Sequence, residues 1–169
     1  MRNLRLNEIA KLWNVSAVEA ALRVIRNGGS EIASFNMSEQ DIEAFMKEDW
    51  VMTCSDGSPG HPRKYGTFPR KLRRYALDRG VIPIPIAIQR SSSLTADTFR
   101  ITDRGRIQPG AFADVIVFDP KTLIDTATYE EPERLAEGMR WVFVNGRAAI
   151  DNGKYTGQLQ GRMLTRPAR

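Results

Sequence analysis

Around Phe99 the spacing of apolar residues changes from helical to alternating, and this change limits what each end of the chain can become. Before it, Leu6, Ile9, Ala10 and Trp13 share one helical face, and Ser16-x-x-Glu19 forms a capping box ahead of Val18, Ala21, Leu22 and Ile25. Asn27-Gly28-Gly29 then stops that helix. An apolar run at 32–37 reads as a strand; Ser38 follows as an N-cap, with acidic residues in the first turn and Ile42, Phe45 and Met46 at helical spacing. Residues 50–54 (Trp50-Val51-Met52-Thr53-Cys54) are apolar on both faces, the pattern of a buried parallel strand. Helix, strand, helix, strand predicts βα units.

After Phe99 the pattern predicts β-structure. Residues 106–110 give a turn, 114–119 a strand, and 141–150 a hairpin whose Asn145-Gly146 suits a type I′ turn. Between the two regimes, Thr67 and Pro69 open a helix with Leu72, Tyr75 and Ala76 inward and Lys71, Arg74 and Asp78 on its outer face, ending at Gly80. Residues 82–88 are ambiguous, because Pro83 and Pro85 break a strand ladder and Pro85 can open a short helix through Arg90.

The apolar strand at 50–54 runs into residues 55–63, a loop dense in Gly, Pro and polar groups (Ser55-Asp56-Gly57-Ser58-Pro59-Gly60-His61-Pro62-Arg63), where α/β proteins commonly place chemistry. Asp56 at a strand end can serve as a metal ligand or a general base; it can equally be an Asx-turn residue. Arg63 has a planar fork suited to a carboxylate, or is a solvated arginine. His61 can be a base, a ligand or a donor to a substrate carbonyl, or it can simply hold the loop. Cys54, within the apolar run, reads as a buried small hydrophobe.

Composition narrows the function classes. With 169 residues, 41% of them hydrophobic, the chain can bury a real core. No stretch approaches the ~18 apolar residues of a membrane span, and the first residues lead into charged helix, so the expectation is a soluble, cytoplasmic protein without membrane contact. One cysteine and one histidine leave no internal disulfide, cysteine-cluster zinc finger or self-contained histidine-rich metal site. The net charge is +5, and residues 63–106 hold eleven basic against three acidic side chains, a segment of +8 that leaves −3 for the remainder. Nucleic-acid binding through that segment ranks last, since helical spacing places its charges on a solvated face.

Ser55-Asp56-Gly57, His61-Pro62-Arg63 and Tyr65-Gly66-Thr67-Phe68-Pro69-Arg70 together resemble the C-terminal part of the N-acyl-D-amino-acid deacylases (D-aminoacylases) of the amidohydrolase superfamily. Trp50-Val51-Met52, Gly105-Arg106-Ile107-Gln108-Pro109-Gly110, residues 113–119, residues 125–132 and Val144-Asn145-Gly146-Arg147 resemble the same family in the same order. The resemblance implies an α/β plus β chain. Its residues 1–99 would be the C-terminal portion of a (β/α)₈ TIM-like barrel, with strand seven at 32–37 and strand eight at 51–54; residues 100–169 would be the C-terminal part of a small β-domain. It also implies a zinc-dependent hydrolase that cuts the amide bond of N-acyl-D-amino acids. Asp56 would be the catalytic base beside the metal and a possible metal ligand, Arg63 would grip the substrate carboxylate, and His61 would contact substrate. The loop from Asp56 to His61 is more compact than in some relatives. The family's other metal ligands have no counterpart here, and Cys54 is not the family's ligand cysteine. The chain alone is therefore expected to hold no stoichiometric zinc and to be inactive, and to associate with itself or with an N-terminal barrel segment, because a partial barrel leaves strand edges and apolar faces open. The alternative is a non-catalytic remnant that serves as a structural or partner-binding module.

Overall fold

The first helices form where the apolar spacing puts them: α1 spans Leu6–Trp13 and α2 Ala17–Arg26, with the Ser16 hydroxyl accepting the Glu19 N–H at 3.1 Å as the capping box requires. Ala10 and Ala20, both buried, provide small side chains in these helices, while Leu12, Val18 and Ile25 stay more than 60% exposed. The computed structural model describes residues 4–30 and 32–165 and falls into two units, Met1–Asn36 and Met37–Arg169.

Helix α3 (Glu39–Lys47) starts at Ser38, whose hydroxyl accepts from the Asp41 N–H at 3.1 Å. At its other end the buried guanidinium of Arg90 donates to the carbonyls of Met46 and Lys47, a cation set on the negative pole of the helix. Helix α4 (Arg63–Arg70) continues without a break into a π-helical segment, Lys71–Asp78, followed by Gly80 at φ +60°. Helices α5 (Ile84–Ser91) and α6 (Ser93–Phe99) resolve the ambiguity at 82–88 in favour of helix, with Pro85 in the first turn of α5, where its missing N–H costs nothing.

The β-region is a four-stranded antiparallel meander, β1 (Val115–Phe118), β2 (Met139–Val144), β3 (Arg147–Asp151) and β4 (Lys154–Tyr155), in that order across the sheet. Asn145 and Gly146 both have positive φ (52° and 78°), the geometry predicted for the β2–β3 turn. Asn152-Gly153 repeats it at the β3–β4 turn (45° and 79°).

Leu72, Ala76, Ile82, Ala87 and Leu123 form the buried core, with Met46, Ile84, Phe118 and Met139 packed against it. The core therefore joins side chains from both halves of the sequence. Leu123 is completely buried because Gly138, at φ +83°, lets two backbones approach: a Cβ there would lie 2.4 Å from the Leu123 nitrogen.

Three expectations are corrected by the fold. Residues 32–37 and 51–54 are irregular rather than strands. A parallel strand is defined by its ladder to neighbours, and the Thr53 N–H instead donates to the carbonyl of Arg90 at 3.0 Å, at the end of α5. Lacking a covering ladder, Cys54 is exposed rather than buried. Lys71 is the third, being 7% exposed rather than on an outer face. The i→i+5 winding of the π-helical segment brings residues four and five apart over one another, so Lys71 shares the inner side with Tyr75 and Ala76.

The basic segment is neutralised locally. Arg63, Arg70, Arg73, Arg74, Arg79, Arg90, Arg104 and Arg106 each form an ion pair with an aspartate or glutamate. Among the described residues no helix is long and apolar enough to cross a membrane.

Candidate active-site loop

The loop between residue 54 and α4 is shaped by its own backbone chemistry. Asp56 has φ +45°, a left-handed conformation that a short polar side chain tolerates better than most, and its N–H points to the Cys54 sulfur at 3.4 Å. Gly57 follows because space is short: a Cβ there would lie 3.2 Å from the Lys64 side chain. The chain then enters α4 through Pro62, with the Gly66 N–H donating to the Pro62 carbonyl at 2.8 Å.

This turn brings the three candidate residues together. The Arg63 Nη1 lies 3.0 Å from the Asp56 Oδ2, and its Nη2 donates to the Ser58 hydroxyl at 3.3 Å. Its Nε is buried and has no hydrogen-bond partner among the described residues. The Asp56 side chain is 80% exposed, so one face of the carboxylate is open to an incoming group.

His61 is oriented from two sides. Its Nδ1 accepts the Arg63 backbone N–H at 3.1 Å, which leaves Nε2 as the protonated nitrogen of the neutral ring. Its ring meets that of Tyr129 edge-on, with centroids 5.2 Å apart and planes at 72°. Burial is the main cause holding the imidazole below its usual range; the Arg63 cation adds to this and the Asp56 carboxylate opposes it. The ring is thus kept neutral and can donate from Nε2.

Sequence spacing did not point to Tyr129, Asp125 or Ser58. Asp125 accepts from the Arg70 Nε at 2.7 Å, and a Cβ on Gly66 would lie 3.6 Å from the Asp125 Cβ, so the 125–129 segment is seated on α4 beside the loop. Only the order of motifs, with 125–132 recurring after 61–70, hinted at this. Among the described residues, no group of three or more histidine, cysteine, aspartate or glutamate side chains comes together as a metal site.

A loop carrying a carboxylate, a forked cation and a neutral imidazole can accept a proton, hold an anion and donate a hydrogen bond. Proteins of known activity share the sequence and shape. The chain is 44% identical over 138 residues to a D-aminoacylase of Alcaligenes xylosoxydans xylosoxydans, an alignment that covers 79% of this chain and 28% of that protein. It is 36% identical over 167 residues to an N-acyl-D-glutamate deacylase of the same organism, covering 96% of this chain and 33% of that one. In solved structures, a D-aminoacylase described for its binuclear metal centre superposes with a TM-score of 0.86 at 39% identity, covering 95% of this chain and 34% of that one. An N-acyl-D-glutamate deacylase from Bordetella bronchiseptica, complexed with zinc and a phosphonate mimic of the tetrahedral intermediate, gives 0.78 at 34% identity, covering 92% of this chain and 34% of that one. The chain thus spans about a third of the length of the curated relatives it matches. The amidohydrolase family model matches residues 3–150, which include the whole loop, its helix, β1, β2 and all but the last residue of β3; the chain belongs to the amidohydrolase family.

Proposed function

We propose that this chain is the C-terminal share of a zinc-dependent N-acyl-D-amino-acid deacylase, with Asp56 as its general base and Arg63 and His61 as substrate-binding residues. The observation that carries the reading is the pairing of Asp56 with Arg63 at 3.0 Å on one loop, in a chain 44% identical to a D-aminoacylase. In this reading, Asp56 takes a proton from the attacking water as its oxygen bonds to the acyl carbon, and the same proton passes to the nitrogen as the C–N bond breaks. The products are a carboxylate and a free D-amino acid. Arg63 holds the α-carboxylate through two parallel hydrogen bonds, which fixes handedness, and His61 donates from Nε2.

Zinc belongs to the complete enzyme in this reading. The described residues do not fit a metal site by themselves, because Asp56 offers one carboxylate where a catalytic zinc commonly takes three protein ligands. A division into barrel-derived residues 1–99 and β-domain residues 100–169, a cytoplasmic location, and self-association or pairing with an N-terminal barrel segment are parts of the same proposal.

The test is reconstitution. The chain is co-expressed with the part of the Alcaligenes D-aminoacylase it does not match, and the purified complex is assayed on N-acyl-D-amino acids with elemental analysis. Hydrolysis with metal bound in the complex and not in the chain alone is the expected result. A stable, metal-loaded complex without activity would favour the structural-module reading instead.

A further inference from the structure

Among the described residues three charged side chains are buried: Lys71, Arg90 and Arg104. Arg90 has Asp49 and the carbonyls at the end of α3, and Arg104 has Asp114 and Asn145. Lys71 is different. Its Nζ donates to the Thr53 hydroxyl at 2.5 Å, and that hydroxyl lies 2.8 Å from the Ser91 hydroxyl, which itself donates to the Ala87 carbonyl at 2.7 Å. An ammonium has three donors, and Thr53 takes one of them. Among the described residues no carboxylate pairs with Lys71, and the charge acting on it is the like charge of Arg90. Burial and Arg90 together push its amine down to about 8.

Lys71 also borders a cavity of about 390 Å³ whose other walls are largely apolar: Met37, Ile42, Phe45, Met46, Val51 and Met52. Met37 and Phe45 remain 64% and 54% exposed. The other titratable groups lining it are Arg70, which pairs with Asp125, Tyr75, which donates to Glu39, and the free cysteine Cys54, which Lys71→Met leaves in place. A buried cation without an acid, beside an open apolar wall, lacks a partner that is itself apolar with one negative charge.

We propose that this cavity is the docking site for a polypeptide segment that lays apolar side chains against α3 and residues 51–52 and brings an aspartate or glutamate carboxylate onto Lys71. The occupant belongs to the two-thirds of the deacylase that this chain does not cover, an assignment that rests on the proposed function. Charge complementarity argues for it, as does the length of the relatives, of which this chain spans 28–34%.

The test uses Lys71→Met, which keeps the length of the side chain and removes its charge. In the chain alone, the substitution removes an uncompensated buried cation, so the thermal midpoint should rise. In the complex with the unmatched part of the Alcaligenes D-aminoacylase, it strands the partner's carboxylate, so affinity should fall by about 30-fold or more, with Lys71→Arg retaining most of the affinity. At pH 9, calorimetry in buffers of different ionisation enthalpy should show the wild-type chain taking up about one proton on docking, and Lys71→Met taking up none.

Unchanged affinity in Lys71→Met, or failure of the wild-type chain to bind the segment, overturns the proposal. So does self-association abolished by the same substitution, which would assign the face to a second copy. A Lys71-dependent complex that hydrolyses no N-acyl-D-amino acid would leave the docking site standing and defeat the deacylase reading.

Discussion

The Arg63 guanidinium lies 3.0 Å from the Asp56 carboxylate, so the two opposite charges of the loop engage one another. With side-chain exposures of 39% and 80%, the pair adds about 1 kcal/mol or less to stability, and its value lies in what can replace it. In the proposed function, a ligand bearing its own carboxylate would compete with Asp56 for Arg63, and once seated it would leave Asp56 free to accept a proton.

In the reconstituted enzyme, Asp56→Asn should therefore lower kcat by about 10²–10⁴-fold with little change in substrate affinity, because the amide keeps the shape and loses the proton acceptor. Arg63→Lys should instead raise KM and blunt the preference for D over L substrates, since a point charge replaces a two-pronged grip. Steady-state kinetics on both enantiomers separates the two effects. A kcat retained in Asp56→Asn, or an unmoved KM and enantiomer preference in Arg63→Lys, would contradict the roles assigned.

His61 is the only histidine of the chain, so its imidazole resonances report one site without ambiguity. Its protonation breaks the bond from the Arg63 N–H to Nδ1, and burial and Arg63 already disfavour the charged ring. The folded ring should titrate below 6.5, and because the unfolded chain then binds the proton more readily, stability should decline as the pH falls through 6.5. Tyr129→Leu should move the His61 ring resonances, while Tyr129→Phe should leave them nearly in place. A titration midpoint at or above 6.5, measured by NMR, would refute this account.

Gly138→Ala should be among the most damaging single changes, costing about 3 kcal/mol or more in a denaturant titration. The added Cβ meets the Leu123 backbone at 2.4 Å, and neither backbone has a flexible end that can yield. A loss under about 1 kcal/mol would mean that the 123–138 contact is looser than described.

Lys71 sets a window at alkaline pH. Its folded amine releases its proton near 8, whereas an unfolded lysine holds it to about 10.4. Between these values the unfolded chain binds more protons, so this group makes the fold more stable as pH rises from about 8 toward 10.4. Chemical denaturation of wild type and Lys71→Met across that range should show the rise only in the wild-type difference. Parallel curves would rule out the buried, depressed amine.

Elements that depend on local chemistry were legible in the sequence. The Ser16 and Ser38 caps, the helix ending at Gly80 and the Asn145-Gly146 hairpin all rest on contacts within a few residues. What depended on distant partners was not. Residues 51–54 have the composition of a buried strand, yet a ladder needs a neighbour, and here the Thr53 N–H turns to Arg90. Lys71 was misplaced because a helical wheel assumes one pitch, and residues 71–78 wind on another. The three residues of the loop are candidates from their place in a Gly- and Pro-rich loop, and the roles proposed for them come from the resemblance of the motif to the deacylases. Their mutual geometry, and the support from Tyr129 and Asp125, came only with the fold.

The contact of Leu123 with Leu72, Ala76, Ile82 and Ala87 bears on how this polypeptide is made. On the ribosome, the helices from α4 to α6 emerge with their inner side open, and they stay open until the chain has grown past Leu123 and on to Gly138, where the close approach can form. A nonsense codon before Gly138 would thus release helices with no floor beneath them. Such products should fall to proteases or aggregate rather than persist as a smaller helical protein, so the 123–138 segment is as necessary to the candidate loop as the helix that carries it.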